Sequence, residues 1–166
     1  TLTRLTHLTD NGVTVDLFRV ESTEEHVYDY VLHGVGAATL SIPTSPGNLQ
    51  FGGPYSYISD VMQADVNTDF EVVFQTKRGS QTLRVMGETG TRVYLGRAPG
   101  HPAGSDHPVL IVRRQTQNTS FASVVTSGKE LRAGISLALS TDGKTLELTQ
   151  LGQAEPTVLP LETPEP

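Results

Sequence analysis

Residues 26 to 33 read HVYDYVLH, and five of these eight side chains can donate, accept or move protons: His26, Tyr28, Asp29, Tyr30 and His33. Imidazole and carboxylate serve as general acids and bases, and neutral imidazole is a common metal ligand. Buried without partners, such groups destabilise a fold, so something must account for them. On a strand, side chains alternate between faces, which puts His26, Tyr28, Tyr30 and Leu32 on one face and Val27, Asp29, Val31 and His33 on the other. Asp29 and His33 are then about 13 Å apart, at about 3.3 Å per residue, too far to hold one ion between them. A site here must be completed from other strands. Otherwise Tyr28 and Tyr30 are half-buried sheet residues, and Asp29 and His33 are solvated or bonded to loops.

Other stretches carry suitable residue types with less defined spacing. The loop 96 to 107 holds His101, Ser105, Asp106 and His107, which suit zinc or calcium, but their spacing matches no metal signature and Ser105 sits in no nucleophile elbow. Asp65, Asn67 and Asp69 open like a calcium loop, yet Phe70 and Thr76 stand where an EF-hand needs Gly and Glu. Calcium and zinc are therefore the metals these residues suggest, without a ligand set for either. Carbohydrate recognition has its own residue types: tyrosines 28, 30, 55, 57 and 94 offer stacking platforms, and there is no tryptophan. Nine of the twelve basic residues are Arg, whose planar fork matches a carboxylate in two hydrogen bonds. Arg19, Arg84, Arg92, Arg97, Arg113 and Arg114 are the forks available to an anionic polysaccharide.

The elements that must position these groups read as strands almost throughout, with almost no helix. Period-two alternation rich in Val, Thr, Ile and Tyr marks residues 2 to 8, 13 to 20, 26 to 34, 38 to 41, 70 to 77, 81 to 88, 91 to 98, 108 to 115, 119 to 126, 135 to 141 and 145 to 151. Asp10-Asn11-Gly12, Lys77-Arg78-Gly79 and Asp142-Gly143 are hairpin punctuation. About eleven closely spaced strands predict an all-β, antiparallel β-sandwich over residues 1 to 152. Residues 42 to 69 read as a long loop, rich in Gly, Pro, Ser and Asn, that packs on a sheet through Phe51, Tyr55, Tyr57 and Ile58. Residues 153 to 166, with four prolines and three glutamates, read as a tail or linker.

With 166 residues, one core is expected. The net charge of −6 and the lack of a basic run argue against a nucleic-acid partner. The absence of cysteine excludes disulfides and thiolate metal sites, and no apolar run approaches the length of a membrane span. A start at Thr1 suggests a processed chain or a piece of a longer one.

Residues 13 to 36, VTVDLFRVESTEEHVYDYVLHGVG, resemble the C-terminal β-sandwich of heparinase II/III-like polysaccharide lyases, relatives of alginate and other uronate lyases. The resembling letters are Asp16, Phe18, Arg19 and Val20, then His26, Tyr28, Asp29, Tyr30, His33 and Gly34. PYSYISDVMQA (54 to 64), LRVMGE (83 to 88) and the run from 108 to 125, with Arg113, Arg114, Thr119, Phe121, Ser123 and Val124, extend it over residues 10 to 128. In such lyases an (α/α) toroid and an H-x-H histidine supply the catalytic groups, and this chain has neither. The resemblance thus implies a non-catalytic, carbohydrate-associated domain, periplasmic or extracellular, that supports a catalytic toroid and binds acidic polysaccharide. It also implies that one histidine of the 26 to 33 strand faces the cleft or a metal, without singling one out. The alternatives are a lyase fragment that contributes a histidine to β-elimination, or a purely structural interaction domain. The expected ligand-binding residues are Tyr28, Tyr30, His33, Tyr55, Tyr57, Arg84 and Arg113. The expected partners are acidic polysaccharide or the catalytic domain of a larger lyase.

Overall fold

The first thirty-three residues form two antiparallel strands, β1 (Leu2–Leu8) and β2 (Thr14–His33), the second burying Val15 and Leu17 on one face, joined by a turn in which Gly12 takes a φ of 80°. The computed structural model describes residues 1 to 10, 12 to 49, 51 to 127, 135 to 140, 145 to 149 and 155 to 160. The remaining strands are β3 (Ala37–Leu40), β4 (Ser45–Pro46), β5 (Ser59–Val66), β6 (Phe70–Thr76), β7 (Gly79–Val85), β8 (Thr91–Pro99), β9 (Asp106–Ser127), β10 (Ser136–Leu139), β11 (Thr145–Thr149) and β12 (Thr157–Pro160). All pairings are antiparallel, and a single 3-10 turn (Gly53–Tyr57) is the only helical element among the described residues. Among the described residues no helix is long and apolar enough to cross a membrane. The all-β, sandwich-like expectation holds.

The two long strands organise the fold. β2 pairs with one edge of β9 from Thr14↔Val125 to His33↔Val109, while the other edge of β9 takes β8 near its start and β7 near its end. One sheet thereby becomes two leaves. The first contains the C-terminal half of β2, the N-terminal half of β9, then β8, β5 and β4. The second contains β1, the other halves of β2 and β9, then β7, β6 and β3. Between the leaves lies a core of Tyr30, Val93, Leu110 and Val112 from the first and Phe70, Val72, Phe74, Leu83, Val85 and Phe121 from the second. At the crossing, Ser22 to Glu25 stand against Gln117 alone, a large bulge of the kind that bends and twists a strand.

Each outer face is covered differently. Val13, Val15, Leu17, Ala122 and Val124 pack against Leu137, Leu146, Leu148 and Leu159 of a small sheet ordered β10-β11-β12, which forms a third layer. On the first leaf, Tyr94, Ala98, Val109 and Ile111 are covered by Leu49, Tyr55 and Ile58 of the segment before β5. That segment lies close because Gly96 leaves room: a Cβ there would stand 2.6 Å from the Ile58 Cγ2.

Three expectations are corrected. The separate strands at 13 to 20 and 26 to 34, and at 108 to 115 and 119 to 126, are the continuous β2 and β9, because the polar residues between them stay extended in an exposed ribbon. The loop at 42 to 69 contains β4 and β5, whose polar outward residues hide the alternation. Within the tail at 153 to 166, Thr157–Pro160 forms β12 and buries Leu159. Pro160 is tolerated there because β12 lies at a sheet edge. The Asp142-Gly143 turn lies outside the described residues.

Candidate functional site

Strand register sets a straight row of four charges across the outer face of the first leaf. Asp29 on β2 pairs with Arg113 on β9, Arg113 with Arg92 on β8, and Arg92 with Asp65 on β5. The order is minus, plus, plus, minus. Like charges directly opposite on neighbouring strands repel, so each arginine needs compensation, and each has one carboxylate. Arg113 donates from Nε and Nη2 to Asp29 at 2.7 and 2.6 Å, and Arg92 donates from Nε and Nη2 to Asp65 at 2.6 and 3.3 Å.

The two pairs differ in what surrounds them. Arg113 and Asp29 expose only 14% and 11% of their side chains, whereas Arg92 and Asp65 expose 51% and 72%. The Tyr55 hydroxyl donates to Asp29, and the Arg113 guanidinium lies over the Phe51 ring, 3.6 Å from its centroid. Phe51 in turn meets Tyr55 and Tyr94 edge-on. Burial first, and then Asp29, push the Tyr55 phenol up, so it stays protonated and donating. The hydrogen bond to Asp29 raises Arg113, and those to Asp65 and then Tyr94 raise Arg92. Both guanidiniums remain cations at any ordinary pH.

Above the row is an open groove of about 730 Å3, lined by Phe51, Asn67, Arg92, Tyr94, Arg113 and Gln115 among others. It offers one exposed aromatic ring, Phe51, with Tyr94 buried beneath it, together with two cations and two side-chain amides. Such a mixture suits a hydroxylated, carboxylate-bearing ligand, with an apolar ring face on the aromatic and anions on the forks.

Inside the sandwich, two further networks hold buried polar side chains, Tyr30 among them. Asp16 accepts from Arg4, Thr6 and Tyr30, whose hydroxyl also meets Ser123. Burial pushes the Asp16 carboxyl up, but the hydrogen bonds from Arg4, Tyr30 and Thr6 and the charge of Arg4 outweigh it and hold the pKa below the usual range. Burial and the bond to Asp16 push the Tyr30 phenol well up. Arg114 is buried over the Phe121 ring and donates to Thr91, Glu88, Thr119 and the carbonyls of Met86 and Ser120. Burial lowers its pKa, and the complete set of acceptors holds it in place.

Of the expected ligand residues, only Arg113 lines the groove; Tyr55 stands behind it, donating its hydroxyl to Asp29. Tyr30 is buried between the leaves, and Tyr28 is half-buried on the same inner side, where it packs on the core. Neither reaches the groove face. His33 is exposed on the outer face and Tyr57 is exposed at the end of the 3-10 turn, but neither lines the groove. Arg84 is on the second leaf, with Asp69 and Glu71. Sequence reasoning did not place Phe51, Asn67 or Gln115 in the site, nor Asp29 as the counter-ion of Arg113. The metal candidates are engaged elsewhere: Asp65 with Arg92, Asp69 with Arg84 and the Gly87 amide, and Asp106 with Arg97. No group of three or more His, Asp or Glu side chains is placed to hold an ion among the described residues. Compared with protein-family models and with curated proteins, the chain matches none.

Proposed function

We propose that this chain is a non-catalytic, carbohydrate-associated β-sandwich, related to the C-terminal domain of uronate polysaccharide lyases, whose outer groove binds a stretch of acidic polysaccharide. One observation carries the reading: Arg92 and Arg113 are directly opposed on adjacent strands, on the floor of an open groove beside the exposed Phe51 ring. A uronate carboxylate over this row meets cationic guanidinium forks, Arg92 the more exposed of the two, while the sugar ring lies on the exposed Phe51 ring. The likeness of residues 10 to 128 to the lyase sandwich points to the same ligand class. His26 and His33, the acid-base candidates of the opening strand, do not line the groove, which agrees with a binding role rather than an eliminating one.

Affinity electrophoresis against alginate, polygalacturonate and a neutral cellulose ether tests the reading. The chain is expected to be retarded by a uronate polymer, less so at high salt, and to release no unsaturated product absorbing in the ultraviolet. Arg92→Ala should weaken binding about tenfold or more, the scale of one lost hydrogen bond to a charged group. Unretarded migration of the unaltered chain in every polymer would sink the proposal.

A further inference from the structure

The two ends of the charge row are not equivalent. At one end Asp29 is enclosed, receives the Tyr55 hydroxyl, and faces an arginine pressed onto Phe51. Removing it would leave a largely buried cation unpaired, so this pair is a fixed part of the floor. At the other end Asp65 and Arg92 are mostly exposed, an ion pair of the kind that gains little from being made. Arg92 already spends the two-nitrogen edge that best fits a carboxylate on Asp65.

Resting on the groove as the polysaccharide site, we infer that Asp65 is an internal competitor: it occupies Arg92 in the empty groove and is displaced by the carboxylate of the ligand. Carboxylate replaces carboxylate on one guanidinium, so Arg92 is never left unpaired, and the groove rejects neutral chains that cannot make the exchange. Asp65 also stands as a negative charge at the groove wall, so a uronate must overcome its repulsion until Asp65 swings out to solvent. Affinity for acidic glycan is thereby held below what two arginines would give, and selectivity is set by one exchangeable carboxylate. Arg113 and Asp29 take no part in the exchange.

The test compares the unaltered chain, Asp65→Asn and Asp10→Asn on alginate, polygalacturonate and hydroxyethylcellulose. Asp10 is exposed in the turn between β1 and β2 of the other leaf, so its variant reproduces the change in net charge without touching the groove. Asp65 is itself exposed, and an unchanged melting temperature for its variant establishes that the fold is intact. Asp65→Asn is expected to bind the uronate polymers about three- to tenfold more tightly, with binding to hydroxyethylcellulose unaltered and Asp10→Asn like the parent. If the parent binds a uronate polymer and Asp65→Asn binds it equally or less well, Asp65 is not a competitor. An equal gain from Asp10→Asn would reduce the effect to net charge and also overturn the inference. If neither the parent nor Asp65→Asn binds any polymer, the groove reading itself falls and this inference with it.

Discussion

Asp16 and Asp29 share one strand and have opposite surroundings: the first is held in the interior by Arg4, Thr6 and Tyr30, the second on the outer face by Arg113 and Tyr55. Two of the five polar letters of HVYDYVLH, Asp29 and Tyr30, are thus accounted for by hydrogen-bonded partners. Tyr30 serves Asp16 and Ser123, and Asp29 anchors the floor of the groove. The pair Asp16 and Tyr30 predicts a pH profile. The folded pKa of Asp16 lies below its unfolded value of about 3.9, so its contribution is full above that pH and is lost as pH falls through the folded value. Tyr30 is raised above about 10, so its contribution is full below that pH and is lost as pH rises through the folded value. Urea midpoints measured from pH 2 to 11 should therefore converge for the parent and Asp16→Asn below about pH 4. For the parent and Tyr30→Phe the gap should begin to narrow only above about pH 10. A gap between parent and Asp16→Asn that stays constant from pH 7 to 2 would contradict the assignment.

At the scale of elements, the least expected strand is β12, and it is directly testable. Leu159 is buried against the second leaf whereas Val158 is half exposed. Leu159→Ala should lower stability by about 2 to 4 kcal/mol, and Val158→Ala by about 0.5 kcal/mol or less, in denaturant titrations. Equal, negligible effects would mean that this segment adds nothing to the core. β1, β6, β8 and β11 were legible to within two residues; β6 and β11 alternate an apolar with a polar face, whereas β1 and β8 are marked by strand-forming residues between turn signals. β5 was not, since SDVMQADV mixes polarity on both faces. β12 was obscured by flanking prolines, which an edge strand tolerates. The site was legible only in part. Alternation separates Tyr28 and Tyr30 from Asp29, but it does not tell which side faces solvent. The row from Asp29 to Asp65 depends on register between strands far apart in sequence, Asp29 and Arg113 being 84 positions apart. No local pattern encodes that register.

For the molecule as a whole, the ribbon of β2 and β9 makes the two leaves inseparable, because each leaf is built on half of both strands. Its closing contacts pair residues as distant as Thr14 and Val125. Non-local pairing of this kind places folding in the range of about milliseconds to seconds, slower than helical domains of similar size. Stopped-flow refolding checks this, and a fragment ending at residue 105, which lacks β9, should remain unfolded by proton NMR and be cut rapidly by protease. A fragment that resisted cleavage would show that the leaves close without the ribbon.

The same ribbon has a consequence for biosynthesis. At about 5 to 20 residues per second, β2 is synthesised about 4 to 15 s before the first residues of β9. Throughout that wait an apolar strand carrying Val15, Leu17, Tyr30 and Leu32 has no lasting partner in its own chain beyond β1. The bulge residues Ser22, Thr23, Glu24 and Glu25 interrupt it midway with charge and polarity. They act as gatekeepers that discourage nascent chains from pairing with one another, so the bend that divides the mature sheet also protects the unfinished one.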